Sequence, residues 1–419
     1  MAVDMLVTIT YFATLLGFGV LITSFTKRIR ISSILFLLLI GIIFGPMGLG
    51  WVDVSLMGDV PDFLRVLALV IIAFSGSFHL KMSTFKKVSI TALKLAFIGF
   101  FFSTLFLGLV AHSILGLSWF TSFLLGAIVG GTSSAVVISF KDTLGKSETL
   151  DILLVESIFT DPLTVLLPVL LLDIFIVGGV ASSTIFLSRF WDMLAAGVGT
   201  GVILGFAAGK LFTKMQKEMT PILGFSIAML TYAFASNIGG SGILAVAICG
   251  LILGNMEIPF KKAVSEFEDS LSIVLMISVF TLLGAQIALS ITKSLLWKEL
   301  LFVAILIFLS RPIFVFLTMF NEKRSLSELL LIAFTGPRGV AAAATAALPL
   351  SYGLAQGSEF LLAEAPIVML TAFFAILLTV VSGTIAAALY THTFKLVKEK
   401  GEEEAKAIGV LSREDLENL

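Results

Sequence analysis

Long apolar runs separated by short polar stretches fill this chain from end to end. The hydrocarbon core of a bilayer is about 30 Å thick, so one helical crossing needs roughly 20 apolar residues. The last run is too long for one ideal span, and we expect it to be broken or to extend into the cytoplasm. The pattern predicts an all-α polytopic membrane protein with 13 transmembrane helices. The thirteen runs lie near residues 5–25, 32–50, 62–79, 88–112, 119–140, 148–172, 190–212, 220–236, 241–254, 268–289, 298–320, 327–350 and 361–392.

Basic residues fall on alternate loops of this arrangement. Because cytoplasmic loops are enriched in Lys and Arg, an alternating charge pattern predicts the orientation of each span. The N-terminus and the loops after even-numbered runs carry only Arg189, Lys293 and Lys298. We therefore expect an external N-terminus and a cytoplasmic C-terminus, in the plasma membrane. The loops after odd-numbered runs carry 18 basic residues: Lys27, Arg28, Arg30, Lys81, Lys86, Lys87, Lys141, Lys146, Lys210, Lys214, Lys217, Lys261, Lys262, Lys323, Arg324, Lys395, Lys398 and Lys400.

The composition agrees with a bilayer environment. Of 419 residues, 58% are hydrophobic and only 13% are charged. A net charge of −1 gives no reason to expect a nucleic-acid partner. The single cysteine, Cys249, cannot form a disulfide within one chain, and the three histidines are scattered. We therefore expect no cofactor and no histidine-built metal site.

The order of the runs predicts an internal symmetry. Thirteen spans can divide into two six-helix halves of opposite orientation joined by the seventh span, and such inverted repeats occur in many secondary transporters. That seventh run carries glycines at four-residue spacing, which lets another backbone approach closely. We predict one transmembrane domain over 1–394 and a short solvated tail over 395–419. The glycine stripe consists of Gly197, Gly201, Gly205 and Gly209.

Few ionisable residues lie deep within the runs, where charge is costly and usually has a task. Those near mid-span are Glu156, Asp161, Arg311 and Arg338. A lone buried charge is unfavourable by several kcal/mol, so these groups should pair. The simplest assignment is a structural ion pair of Glu156 with Arg311, which leaves Asp161 free to hold a proton or a metal cation. The alternative is that both acids are held in structural pairs.

Oxygen atoms surround Asp161 in the predicted sixth helix. Ser157 lies four residues earlier on the same face, and Thr160 shares the neighbouring stripe with Glu156. Pro162 has no N–H to donate to the carbonyl of Ile158, so that oxygen is also free. Carboxylate, hydroxyl and carbonyl oxygens are the ligands that suit a hard cation.

Two runs are predicted to be broken at mid-depth. The fifth contains the polar, glycine-rich segment 130–135, and the twelfth contains Gly336, Pro337, Arg338 and Gly339. Backbone groups freed by Gly or Pro are tolerated at this depth only beside protein or a water-filled cavity. Each segment lies one span before the end of its half, where half-helix ends could face a bound ion. Arg338 could offset the partial negative charge of nearby helix C-termini. Tight packing of small residues is the alternative meaning.

Four sequence blocks resemble one family. Residues 74–77 (Phe-Ser-Gly-Ser) resemble a third-span FEGG block, and Gly131-Thr132-Ser133 resembles a TD block in a broken helix. Residues 156–162 (Glu-Ser-x-x-Thr-Asp-Pro) resemble ES-x-x-NDP, and Arg311 with residues 336–339 resembles two membrane arginines. In order and spacing, the chain is similar to the cation–proton antiporter superfamily, in its NhaP-like Na⁺/H⁺ exchanger branch.

The resemblance implies an NhaA/NapA-like fold and an elevator-type homodimer, in a prokaryotic membrane. A dimer scaffold would comprise about 1–87 and 190–290, and a moving core about 88–172 and 298–392. It implies that Asp161 binds the cation, helped by Ser157 and Thr132, with Thr160 and Ser133 also at the site. It further implies that the Glu156–Arg311 pair contacts position 160.

Three positions depart from the pattern of the family. Residue 160 is Thr where this branch has Asn and its electrogenic relatives have Asp. Residue 133 is Ser rather than Asp, and residue 75 is Ser rather than Glu. With one free carboxylate remaining, we expect one proton to be exchanged for one cation.

The expected function is antiport of a monovalent cation, Na⁺ first and Li⁺ or K⁺ next, against H⁺. The alternatives are a K⁺/H⁺ antiporter on the same fold and an organic-anion symporter. A passive channel would need a continuous pore with a ring of ligands. An intramembrane protease would need a second catalytic Asp, and the protein is therefore not expected to be an enzyme. Expected partners are the lipid bilayer, a second copy of the chain and the transported ions.

Overall fold

All regular structure in the described part of the chain is helical. The computed structural model describes residues 5–29, 32–145, 147–176, 183–286, 293–322 and 324–407. A 3-10 turn lies at Val54–Met57, and π-helical turns lie at Leu95–Gly99 and Leu306–Ser310. The α-helices are α1 Met5–Ile29, α2 Ser33–Phe44, α3 Val60–Phe78, α4 Met82–Lys94, α5 Phe100–Leu115, α6 Trp119–Gly130, α7 Ser134–Ser139, α8 Lys141–Leu144, α9 Glu148–Ile176, α10 Ser183–Phe212, α11 Thr220–Asn237, α12 Gly242–Asn255, α13 Lys261–Ala285, α14 Lys293–Ile305, α15 Arg311–Met319, α16 Leu326–Phe334, α17 Val340–Thr345, α18 Leu348–Gln356 and α19 Glu359–Ala407.

Within the described residues, each predicted apolar run overlaps one helix or consecutive helices. Among the described residues, nine helical stretches are long and apolar enough to cross a bilayer, and α2 and α12 are shorter apolar helices. A helix satisfies its own backbone hydrogen bonds, which is why apolar runs in a bilayer become helices. The nine stretches are Met5–Thr26, Val60–Phe78, Met82–Leu115, Trp119–Ser139, Glu148–Phe175, Phe186–Phe212, Lys261–Ala285, Leu296–Met319 and Glu359–Thr391.

The thirteenth run corresponds to α19, which continues as one helix to Ala407 and contains Pro366. The run therefore extends beyond its predicted end and is not broken. Residues 408–419 of the predicted tail lie outside the described residues, as do Arg30, Lys146 and Lys323 of the basic loops.

Close backbone packing joins several of the helices through glycine. A Cβ at Gly197 of α10 would lie 2.8 Å from the carbonyl oxygen of Ser241, and one at Gly201 would overlap the carbonyl oxygen of Ala245 in α12. The prediction that the glycine stripe admits another backbone is confirmed at these two positions. Gly41 of α2 and Gly284 of α13 approach each other's helix backbone in the same way.

Helix α9 lies among α4, α6, α7 and α17, which pack against it. The two π-helical turns occupy matched places, since one joins α4 to α5 and the other joins α14 to α15. A π-turn shifts the phase of the side chains that follow it, and such turns are frequent at functional sites. Arg311 directly follows the second of these turns.

Candidate cation-binding site

The fifth predicted span is broken between α6 and α7. Helix α6 ends at Gly130, and Gly131 and Ser133 have extended backbone before α7 begins at Ser134. A Cβ at Gly131 would overlap the hydroxyl of Thr164, which lies on α9. The break therefore lies directly against the helix that carries Asp161.

The twelfth predicted span is broken as well, between α16 and α17. The non-helical segment runs from Thr335 to Gly339. The amide of Ser133 donates to the carbonyl oxygen of Pro337 at 2.9 Å, and a Cβ at Gly339 would overlap the Ser133 side chain. The two broken segments thus cross in direct contact, although about 200 residues separate them in the chain.

Asp161 is buried beside the first break. The residue is only 8% exposed. One carboxylate oxygen, Oδ2, accepts two hydrogen bonds from Ser134, at 3.0 Å from the amide and 2.6 Å from the hydroxyl. None of the ion pairs among the described residues includes Asp161. Asp161 is therefore held by a hydroxyl and an amide, and it has no cationic partner in the part of the chain that the structure describes.

Thr132 and Thr160 bind each other across the same break. Their hydroxyl oxygens are 3.0 Å apart, the Thr160 hydroxyl lies 3.0 Å from the carbonyl oxygen of Thr132, and the Thr132 amide lies 3.2 Å from the Thr160 hydroxyl. The threonine pair fixes the non-helical segment to α9 one residue before Asp161. Both residues are 2% exposed, so this contact is buried within the protein.

Ser157 does not contact Asp161 through a hydrogen bond in this structure. Its hydroxyl donates to the carbonyl oxygen of Leu154 in its own helix, at 3.0 Å. The hydroxyl that contacts Asp161 is instead that of Ser134, which was not predicted as a site residue. Residue spacing along one helix identifies neighbours within that helix, whereas Ser134 reaches Asp161 from another chain segment. The role of Ser157 as a cation ligand stays a prediction.

The structure places Glu156 against Arg311. The guanidinium nitrogens lie 2.8 and 3.0 Å from the two carboxylate oxygens, and the side chains are 1% and 3% exposed. Arg311 also donates from Nε to the carbonyl oxygen of Ile332, at 3.1 Å. The hydrogen bonds of Thr160 go to residue 132 and to its own helix, so the implied contact of the ion pair with position 160 is not a hydrogen bond.

Arg338 binds backbone oxygens and no carboxylate within the described residues. Its Nε donates to the carbonyl oxygen of Val129 at 2.7 Å, and its Nη1 donates to that of Gly336. Val129 lies in the last turn of α6, where carbonyl groups lack helical partners. The prediction that Arg338 offsets the negative end of a helix is confirmed. Its amide also donates to the hydroxyl of Thr379, at 3.0 Å.

Two further buried carboxylates were missed by sequence reasoning. Glu268 in α13 and Glu299 in α14 are both 0% exposed, and neither side chain has a hydrogen-bond partner among the described residues. They lie within two turns of the start of their helices, so their position along the sequence resembles that of a residue at the membrane surface. The packing of neighbouring helices buries them, and no local pattern signals this.

A polar cluster at the end of α3 includes Ser75, which replaces the Glu of the family pattern. Its hydroxyl donates to Asp269 at 2.9 Å, and its carbonyl oxygen lies 2.7 Å from Nδ1 of His79. The other ring nitrogen of His79 lies 2.7 Å from the hydroxyl of Ser265 and 3.4 Å from Asp269. The hydrogen bond to Asp269 raises the pKa of His79 above its usual value.

The sequence of this chain matches a family of known proteins. Residues 13–391 match the sequence model of the family described as "Sodium/hydrogen exchanger, transmembrane". The chain is 30% identical to Na⁺/H⁺ antiporter 1 of Methanocaldococcus jannaschii over 363 residues, which cover 82% of this chain and 83% of that protein. It is also 30% identical to the K⁺/H⁺ antiporter NhaP2 of Shewanella oneidensis, but it spans only 60% of that longer protein.

A solved structure has the same fold. The structure of the sodium proton antiporter MjNhaP1 from M. jannaschii at pH 8 aligns with a TM-score of 0.81 and 28% identity. The alignment covers 92% of this chain and 97% of that one. The match to the family model, over residues 13–391, includes both broken segments and all the residues of the candidate site.

Proposed function

Because the chain belongs to the sodium/hydrogen exchanger family, we propose that it exchanges a monovalent cation for H⁺ across a membrane, with Asp161 holding the two ions in turn. The observation that carries this proposal is a buried carboxylate at the crossing of two broken helices, without a cationic partner among the described residues. One carboxylate cannot hold a proton and a metal cation at the same oxygen. Cation binding therefore competes with protonation and weakens as the pH falls.

Oxygen atoms near Asp161 support an alkali cation as the substrate. The Ser134 hydroxyl already contacts the carboxylate. Neutral oxygens are also available at the break next to it, on the hydroxyls of Thr132 and Thr160 and on the backbone of residue 132. Relatives are named both as Na⁺/H⁺ and as K⁺/H⁺ antiporters. We propose Na⁺ as the substrate, with K⁺ as the alternative on the same fold. Addition of Na⁺, K⁺ and Li⁺ in turn to proteoliposomes containing a pH-sensitive dye decides between them.

The charges at the site support a one-to-one, electroneutral exchange. Glu156 and ionised Asp161 balance Arg311 and Arg338, so these four side chains sum to zero before an ion is bound. A proton or a monovalent cation on Asp161 raises the sum to +1 in either case. The two loaded forms then carry the same charge, and their exchange moves none. Current measured on a supported membrane during a Na⁺ jump should be absent while the dye reports proton flux.

The matched features of the two halves support an elevator mechanism. Each half contains a π-turn followed one span later by a broken helix. We propose that about 88–172 and 298–392 move together as the core against a dimer scaffold of about 1–87 and 190–290. We also propose 13 crossings, inverted repeats, an external N-terminus and a cytoplasmic tail. Reporter fusions at the two termini test the orientation, and a cross-link from the core to the scaffold that leaves exchange intact would contradict the movement.

The decisive experiment replaces Asp161 with Asn in proteoliposomes. Asp161→Asn keeps the size and the ability to accept from Ser134, but it cannot take up a proton or balance a cation. We expect exchange to fall to the level of empty vesicles. Asp173→Asn on the same helix, a residue that accepts from the hydroxyl of Tyr352, is the matched control and should retain exchange. Persistent pH-dependent cation flux in Asp161→Asn would overturn the proposal.

A further inference from the structure

Ser134 gives Asp161 both of the hydrogen bonds that the structure assigns to its carboxylate. The bonds run from one residue to one oxygen, at 3.0 Å from the amide and 2.6 Å from the hydroxyl. The residue is 1% exposed, so bulk water does not compete for the carboxylate on this side. Any ion that binds Oδ2 must therefore come within reach of the Ser134 hydroxyl or displace it.

The two donors of Ser134 differ in what they can do when an ion arrives. A backbone amide can only donate. A hydroxyl carries one donor and two acceptor lone pairs, and it rotates to suit its partner. The hydroxyl can donate to the ionised carboxylate, and after rotation it can present a lone pair to a cation on the same carboxylate oxygen. The Ser134 hydroxyl can thus bond to Asp161 when the carboxylate is free and ionised, and to the cation when one is bound.

The surroundings leave space for such a rotation. On the side of α3, the neighbour of Ser134 is Gly76, and a Cβ added there would lie 3.8 Å from the Ser134 hydroxyl, an ordinary van der Waals distance. Gly76 itself has no side chain, so roughly a methyl group fits between the two helices at this point. Ser157 has a hydroxyl of the same type, but it is bonded to the carbonyl oxygen of Leu154.

We infer that the Ser134 hydroxyl is a direct ligand of the transported cation, which it binds by exchanging its hydrogen bond to Asp161 for a bond to the ion. This inference rests on the proposed function, because it concerns the ion held by Asp161. It assigns to Ser134 a position in the coordination shell, and it makes this hydroxyl a determinant of which alkali cation is preferred.

The experiment measures cation affinity at alkaline pH, where protons no longer compete. The apparent affinities for Na⁺ and K⁺ are taken from the concentration dependence of exchange in proteoliposomes. For Ser134→Ala we expect the Na⁺ affinity to fall roughly tenfold or more, because a bond to a charged group is lost. We also expect the ratio of the Na⁺ and K⁺ affinities to change. Ser134→Thr keeps the hydroxyl, its methyl group fits beside Gly76, and it should restore both values.

A purely donating role for Ser134 gives the opposite result. Removal of a hydroxyl that only competes with the cation would leave the affinity at alkaline pH unchanged or make it tighter, and this outcome overturns the inference. Ser139→Ala removes a hydroxyl from the same short helix that is bonded to the carbonyl oxygen of Val136, and it should behave like wild type. If Ser134→Ala does not fold, Ser134→Cys provides the same comparison, because a thiol has nearly the size of the hydroxyl but is only a weak hydrogen-bonding group and a soft ligand that does not suit Na⁺.

The failure of this inference is distinct from failure of the proposed function. Exchange in Asp161→Asn contradicts the shared carboxylate itself. An inactive Asp161→Asn together with wild-type cation affinity in Ser134→Ala retains the carboxylate and rejects only the hydroxyl ligand.

Discussion

Removal of one partner of the Glu156–Arg311 pair should destabilise the protein strongly. The pair is joined by two hydrogen bonds at 2.8 and 3.0 Å, and its side chains are 1% and 3% exposed. In Glu156→Gln the guanidinium keeps its bond to the carbonyl oxygen of Ile332 but has lost its counter-charge. Loss of one partner of a buried pair costs about 3–5 kcal/mol, because the other charge stays buried.

The assay is equilibrium unfolding in mixed micelles by titration with SDS, followed through the fluorescence of the four tryptophans. Glu156→Gln and Arg311→Met should each lower the free energy of unfolding by about 3–5 kcal/mol. The double variant buries no unpaired charge, so its loss should be much smaller than the sum of the two single losses. The coupling between the two residues is the quantity that tests the reasoning.

An exposed ion pair provides the matched control. Lys262 and Glu266 are 3.6 Å apart, and their side chains are 90% and 68% exposed. Pairs of this kind contribute little to stability, so Lys262→Ala should unfold like wild type. If the losses of Glu156→Gln and Arg311→Met add in the double variant, the two charges are not coupled and the reasoning is refuted.

Two further predictions concern packing and pH. A Cβ at Gly336 would overlap the side chain of Arg311, so Gly336→Ala should lower the free energy of unfolding by about 1–3 kcal/mol. Gly199→Ala, where an added Cβ meets nothing within 4 Å, should not lower it, and equal effects of the two would contradict the overlap. The pKa of His79 is raised chiefly by its hydrogen bond to Asp269. The interaction therefore contributes its full stabilisation at a pH below the pKa of His79 in the unfolded chain, about 6.5. This stabilisation is lost as the pH rises through the higher pKa of His79 in the folded protein. Wild type should therefore exceed Asp269→Asn in thermal stability in detergent more at pH 6 than at pH 9, and a pH-independent difference would contradict the assignment.

Some of the site could be read from the chain because its signals are local. The pairing of Glu156 with Arg311 was the simplest assignment on electrostatic grounds, since only a few ionisable groups lie at mid-span and a buried charge requires a partner, and the family resemblance implied the same pair. Gly131 and Gly336 marked the two breaks because each lies at mid-span in a cluster of glycine with polar residues or proline, whereas the isolated Pro366 is accommodated within α19. The position of Arg338 beside the C-terminus of α6, where it donates to the carbonyl oxygen of Val129, agrees with the prediction that it offsets the partial negative charge of a helix C-terminus.

Other features arise only when distant segments come together. Ser157 lies four residues before Asp161 on the same helix, yet the hydroxyl on the carboxylate comes from Ser134, 27 residues earlier in the chain than Asp161. The burial of Glu268 and Glu299 likewise depends on which helices cover them.

The sequence by itself determined the helices and the chemistry available at mid-membrane. In a bilayer each backbone polar group must be satisfied within the protein, so a long apolar run has hardly any choice but to form a helix. Only the tertiary structure decided which oxygens surround Asp161, because the crossing of the breaks at Ser133 and Pro337 sets those distances. Contacts between segments depend on how helices pack against each other, and hydropathy along one segment carries no information about that packing.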